Sequence, residues 1–205
     1  MKVLLINGSP HANGNTALAL NEMIKVFKAA EIETNLVHVG GKDIRGCTAC
    51  GNCFNLGRCV FDDAVNEVAP LFAEADGLVI GSPVYYSSPN GTLVSFLDRL
   101  FYSAHFDKTM KVGASVVVAR RGGAASAYDV LNKYFGNCGM VIATSQYWNM
   151  VYGLKPGEAA QDAEGLQTMR TLANNMTFLM KSIALGKEKF EVPKRETWTP
   201  THFIR

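Results

Sequence analysis

VLLINGSPHANGNT, residues 3–16, decides how this chain is read. VLLING (3–8) is a short apolar run that stops at Gly8, the pattern of a buried strand. GSPHANGNT (8–16) is small, polar and rich in glycine and asparagine. Residues 16–30 then place Leu20, Ile24 and Phe27 at helical spacing, so the loop runs straight into a helix. A strand, a tight polar loop and a helix form the first half of a strand–helix–strand unit.

The same alternation extends along the chain. Further strands are expected at NLVHVG (35–40), GLVIGSP (77–83), KVGASVVVA (111–119) and MVIATSQ (140–146). Helices are expected over 64–75, N-capped by Asp62-Asp63, and over 91–104, 124–136 and roughly 158–185. Alternation implies right-handed crossovers and a parallel sheet covered on both faces. Five strands suggest an α/β doubly wound sheet of order 2-1-3-4-5. Ligands then bind beyond the carboxyl ends of the strands, at the switch point between strands 1 and 3. The 205 residues suit one domain, placed at 1–186, with KEKFEVPKRETWTPTHFIR (187–205) as an extended tail on the surface or on a partner subunit.

Bulk properties exclude several classes. The formal net charge of +2 gives no nucleic-acid footprint and no polybasic membrane anchor. The opening apolar run breaks at Asn7-Gly8, too short for a signal-peptide core, and no run approaches a membrane span. A cytoplasmic protein is expected, and in a reducing compartment disulfides among the five cysteines are not.

The loop after strand 1 has the chemistry of an anion site. Backbone N–H groups at a helix start attract phosphate, and Ser9, Asn13, Asn15 and Thr16 could add hydrogen bonds. It is not a P-loop: five residues separate Gly8 from Gly14, and Asn15 stands where lysine belongs. The dinucleotide fingerprint G-x-G-x-x-G is absent as well. What remains is a single-phosphate site suited to a mononucleotide, or a strand-to-helix turn with no ligand.

After strand 3, GSPVYYSSPNG (81–91) offers a loop stiffened by Pro83 and Pro89, with Tyr85 and Tyr86 as flat surfaces. Such a loop can hold a planar heterocycle, although the tyrosines would equally serve a core or an interface. ARRGGA (119–124), after strand 4, brings Arg120 and Arg121 beside Gly122. That charge would stabilise an anionic ring or meet a donor's phosphates, or else sit at a solvated helix start. QYWNMVYG (146–153) lies at the same sheet edge, as a pocket wall or an interface.

CTACGNCFNLGRC (47–59) has the spacing C-x2-C-x2-C-x5-C. Tight x2 gaps let thiolates wrap one centre, whereas structural zinc sites usually separate two cysteine pairs by a dozen or more residues. Metal binding and free thiols both stand. Cys138 lies apart and reads as a small buried residue. The four histidines form no ligand spacing, and His38 reads as structural.

GSPHANGNT (8–16) and GSPVYYSSPNG (81–91), the latter running into LDRL (97–100), together resemble the NAD(P)H-dependent FMN reductase family of flavodoxin-like proteins. The element order matches along nearly the whole chain. Within that family CTACGNCFNLGRC followed by VFDD resembles the cysteine motif of the iron-sulfur flavoproteins. The resemblance implies a flavodoxin-like fold and non-covalent FMN, its phosphate at Ser9, Asn13, Asn15 and Thr16 with His11 in the same loop. The ring system would lie against Pro83, Val84, Tyr85, Tyr86 and Ser87. It implies NADH or NADPH as donor and a quinone, flavin, azo or nitro compound, or an iron-sulfur centre, as acceptor. A 4Fe–4S cubane on Cys47, Cys50, Cys53 and Cys59 and a homodimer or homotetramer are implied too. The flavin carries the chemistry, so no catalytic side chain is expected. Two rivals remain. A flavodoxin-type electron carrier is usually strongly acidic, unlike this chain of pI about 8.2. A redox sensor would use the cysteine loop as its switch.

Overall fold

A computed structural model describes residues 1–194 and 196–204. Strand β1 (Lys2–Asn7) lies between β2 (Glu33–His38) and β3 (Gly77–Tyr85), parallel to both. β3 pairs in parallel with β5 (Val112–Ala119), every residue of which is buried. The order of the main path is β2-β1-β3-β5-β6, with β6 at Val141–Ile142. This is the flavodoxin-like doubly wound arrangement, with two additions. Val3, Leu5 and Val79 face α1 (Asn15–Ala29) and α6 (Ala163–Lys189) on one side. Leu4, Ile6 and Ile80 face α3 (Ala64–Glu74), α4 (Gly91–Ser103) and α5 (Ala124–Asn137) on the other. Burial on both faces explains why these strands read as unbroken apolar runs.

The first addition is β4 (Ser88–Pro89), which folds back antiparallel onto the end of β3, pairing Tyr85 with Ser88. Tyr86 and Ser87 form the two-residue turn at φ 49° and 61°. Both central residues of such a turn need positive φ, normally a task for asparagine and glycine. A β-hairpin with tyrosine and serine there gives no turn signal in the sequence.

The second addition corrects the expected fifth strand. Residues 140–146 do not form one continuous strand. β6 is only Val141–Ile142, paired low on β5, and β7 (Met150–Tyr152) pairs with the upper end of β5. Residues 143–149 leave the sheet between them. Asn149, fully buried, replaces the missing ladder: its Nδ2 donates to the Ser115 carbonyl at 3.0 Å. Its own carbonyl accepts from the Val117 N–H at 3.0 Å.

The helices largely follow the periodicity. Asp63 caps α3, accepting from the Val65 N–H, and Asn90 caps α4, accepting from Thr92 and Leu93. The last helix starts later and ends later than its pattern suggests. A 3-10 turn over Glu158–Gln161 precedes it, Asp162 caps it, and it continues to Lys189. Beyond it, residues 191–194 and 196–204 are exposed and outside helix and strand. Among the described residues no helix is long and apolar enough to cross a membrane.

Candidate functional site

β1, β3, β5 and β7 end on one rim of the sheet, and a cavity of about 290 Å³ opens there. β1 delivers Ser9, His11, Asn15 and Thr16, β3 delivers Pro83, Val84 and Tyr85, and β5 delivers Arg120. This is the switch point named by topology alone.

The strand-to-helix loop is shaped from within. Asn7, buried, accepts from the Ser9 N–H through Oδ1 at 3.0 Å and donates to the Ala12 carbonyl at 3.2 Å. The Ser9 hydroxyl oxygen accepts from the His11 N–H at 3.2 Å. His38 Nε2 meets the Ser9 carbonyl at 2.7 Å, so that histidine is structural. Gly40 lets β2 approach: a Cβ there would stand 2.3 Å from the carbonyl oxygens of Gly8 and Ser9.

The loop's binding groups, by contrast, are left open. The N-cap of α1 is Gly14, which offers no side-chain cap, and the first turn holds no acidic residue. The leading N–H groups of a helix have no partner within it. The Thr16 hydroxyl, on a residue 2% exposed, has no hydrogen-bond partner among the described residues. No carboxylate is among the residues lining the cavity, while Arg120 and His11 are. An uncapped helix start in acid-free walls has the chemistry to receive an anion.

Asn15 is placed differently from a simple phosphate ligand. Its Oδ1 accepts from the Gly157 and Ala159 N–H groups at 3.0 and 3.2 Å, and its Nδ2 donates to the Lys155 carbonyl at 2.9 Å. The carboxamide thereby ties α1 to the 153–159 turn, which adds Gly153, Leu154 and Pro156 to the wall. Glu158 holds the same turn by accepting from the Leu154 and Lys155 N–H groups, both at 2.8 Å. Those bonds set its carboxyl below the usual glutamate range. Sequence reading missed this wall, apart from Gly153 in the fourth loop; its only signal was Gly153 and Gly157 flanking Pro156.

Asn13, Tyr86, Ser87, Arg121 and Gly122 are not among the lining residues. Tyr86 is wholly exposed, and Tyr85 is 45% exposed, so neither is a core residue. Ser87 instead packs on the turn before α5. Gly123, at φ 85°, has no room for a Cβ, which would meet Ser87 Oγ at 2.6 Å. Tyr147, Trp148 and Tyr152 line a separate cleft of about 70 Å³.

The cysteine loop lies between β2 and α3, with a short helix α2 (Cys53–Leu56) inside it. Cys47 and Cys50 are exposed, while Cys53 and Cys59 are 6% and 8% exposed. No three His, Cys, Asp or Glu side chains among the described residues are placed to hold one metal ion. Four thiols at this spacing are the right donors for an iron-sulfur cluster, but their placement is not that of a formed site. Cys47 lines an open hollow of about 440 Å³ with Cys138, which is half-buried rather than buried. Tyr134, whose phenol is raised by burial and by its 2.5 Å bond to Asp98, lies on the same hollow. Although larger, this hollow is open and presents no helix start, so the smaller cavity carries the anion chemistry.

Sequence reading passed over Arg99, within LDRL. Its side chain is 1% exposed and forms a fork on Asp63, with Nη1 to Oδ2 at 2.7 Å and Nη2 to Oδ1 at 3.0 Å. Burial works against its charge, but the Asp63 carboxylate and Cys59 more than restore it. An arginine in a helix normally signals a solvated face, and only the preceding Asp62-Asp63 hinted at a partner.

Comparison with known proteins agrees with this geometry. Residues 1–155 match the family model described as NADPH-dependent FMN reductase. An iron-sulfur flavoprotein of Methanocaldococcus jannaschii is 31% identical over 191 residues, covering 89% of this chain and 99% of its own. One from Methanosarcina thermophila is 27% identical over 193 residues, covering 92% and 100%. Among solved structures, RosB with bound 8-demethyl-8-formylriboflavin-5'-phosphate superposes with a TM-score of 0.70 at 18% identity, covering 100% of this chain and 94% of its own. The open anion site at the switch point, the matched loops and the long alignments lead to one assignment: the chain belongs to the NADPH-dependent FMN reductase family and is similar to its iron-sulfur flavoproteins.

Proposed function

We propose that this chain is an FMN-dependent oxidoreductase that takes electrons from NADH or NADPH and delivers them to a small organic acceptor, of the quinone, flavin, azo or nitro class, or to an iron-sulfur centre. The observation that carries this reading is the uncapped start of α1, facing a cavity with no carboxylate among its lining residues. FMN, when bound there, supplies hydride and electron transfer.

The chain's own residues do the rest. Ser9, Thr16 and the leading N–H groups of α1 hold the phosphate, with Asn13 and His11 in the same loop. Asn15 fixes the 153–159 turn as a wall. Pro83, Val84 and Tyr85 flank the ring system, and Tyr86 and Ser87 hold the hairpin that sets them. Arg120 offers positive charge at the ring or to the donor's phosphates, with Arg121 and Gly122 forming the turn behind it. The walls limit access of water, and no side chain is assigned a proton-transfer role. The unit acts as a single domain closed by α6, in the cytoplasm, as a homodimer or homotetramer with partners limited to donor and acceptor.

A second reading, an electron carrier between proteins, is favoured by the four thiols and by the iron-sulfur flavoproteins among the relatives. One anaerobic preparation tests both. FMN should copurify and its visible absorbance bleach on adding NADPH or NADH. Bleaching by dithionite alone would overturn the enzyme reading in favour of the carrier. Iron and acid-labile sulfide in the same sample, at four of each per cluster, would place the cluster on Cys47, Cys50, Cys53 and Cys59.

A further inference from the structure

Arg99 is the largest fully buried side chain of the described residues, and all its donors converge on one loop. Nε and Nη2 donate to the Cys59 sulfur at 3.3 and 3.2 Å. Nη1 donates to the Arg45 carbonyl and Nη2 to the Phe61 carbonyl, both at 3.3 Å. The fork on Asp63 completes the set. Arg45 precedes the first cysteine and Phe61 follows the last, so one guanidinium ties the entrance of the loop to its exit. The planes cooperate as well. The Phe61 ring lies 5.0 Å from the Arg99 guanidinium and 4.6 Å from that of Arg45.

Cys59 is held from a second side. Its N–H donates to Asn66 Oδ1 and its carbonyl accepts from Asn66 Nδ2, both at 3.0 Å. Backbone and sulfur are therefore both fixed. Cys47 and Cys50 have no such anchors. They are exposed, on a segment without helix or strand, and among the described residues the one bond to the Cys47 sulfur is a long 3.4 Å contact from the neighbouring Ala49 N–H.

We propose that Arg99 is the positioning residue of the cysteine loop. It makes Cys59 the fixed thiol, and any centre that needs all four thiols forms by residues 46–52 moving toward Cys59. This rests, for its purpose, on the reading of the loop as an iron-sulfur ligand set. It also accounts for the disagreement between ideal donors and scattered placement: one thiol of the four is anchored in position.

The test uses the whole, metal-free protein. Iodoacetamide labelling, followed cysteine by cysteine by mass spectrometry, should modify Cys59 roughly a hundredfold more slowly than Cys47 and Cys50. Arg99→Lys keeps the charge but loses the fork, and should raise the Cys59 rate at least about tenfold. Since that variant is at risk of misfolding, the near-isosteric Cys59→Ser gives an independent reading. The Nε–H resonance of the buried Arg99 should shift in Cys59→Ser while Asn66 stays unmoved. Equal labelling of Cys59 and Cys47, or an unchanged Nε–H resonance, would overturn the proposal. Both readings come from metal-free protein, so failure to take up iron and sulfide would remove the cluster reading without touching them.

Discussion

Two irregular loops leave neighbouring strands at the same rim of the sheet, and they treat their polar groups in opposite ways. After β1, the loop orders its own backbone through Asn7, Ser9 and His38, yet leaves the α1 N-terminus uncapped and the Thr16 hydroxyl without a partner. After β2, the base of the cysteine loop commits all the donors of a buried arginine to protein atoms. Buried polar groups are costly unless matched. Where the chain leaves them open to a cavity on an ordered frame, there is room for a ligand to supply the match. Where the chain matches them itself, they hold shape.

Substitutions can break this contrast. The largest effect belongs to Arg99→Ala, which strands Asp63 and the loop carbonyls and should cost about 3 kcal/mol of stability or more. Chemical denaturation measures it, and FMN affinity of the folded fraction should barely change. A large loss of affinity with little loss of stability would erase the distinction between the two loops. Gly40→Ala strikes the other loop, because its Cβ would meet two carbonyl oxygens that cannot give way. Overpacking of this kind costs about 1–3 kcal/mol. If it falls on the phosphate loop, FMN titration should show affinity reduced by roughly tenfold or more. Thr16→Val removes only the open hydroxyl and should weaken FMN by about 1 kcal/mol. Its melting temperature should stay level or rise, since nothing in the protein loses a partner; a clear fall would mean the hydroxyl was engaged after all.

The smallest effect is a pH dependence. Glu158 is half-buried, and its carboxyl is held below the ordinary value of about 4.3 by the Lys155 and Leu154 N–H groups. A depressed folded value means the support is complete above the unfolded value and fades as pH falls through the folded one. FMN affinity should therefore weaken below about pH 4, and less steeply in Glu158→Gln. Identical acid profiles would detach the 153–159 turn from ligand binding.

The main path of the sheet was legible because strands buried on both faces must be apolar throughout, and glycine-rich loops mark their ends. The split fifth strand was not. Its continuity depends on one buried asparagine replacing ladder bonds, and Asn149 looks like any loop asparagine. The loop after β1 was legible in composition, but the bonds of Asn15 to the 153–159 turn were not, because those partners lie some 140 positions away. Arg99 was hidden by its type: charged residues in helices normally face water, and nothing local shows that Cys59 and Asp63 arrive beneath it. The four cysteines were legible as a candidate ligand set by their spacing, but the engagement of Cys59 by that same arginine was not.

The excursion at 143–149 has a bearing on how this chain behaves in a crowd. An exposed, unbroken edge strand offers a template to any other extended segment. Here the open flank of β5 never presents one. β6 covers its lower end and β7 its upper end, and between them the Ser115 carbonyl and the Val117 N–H are closed off by Asn149. A foreign strand finds two short pairings and a side chain where a ladder would have to begin. At this edge Asn149 thus fills the place where a foreign strand would have to begin, which leaves β2 as the sheet's unbroken edge.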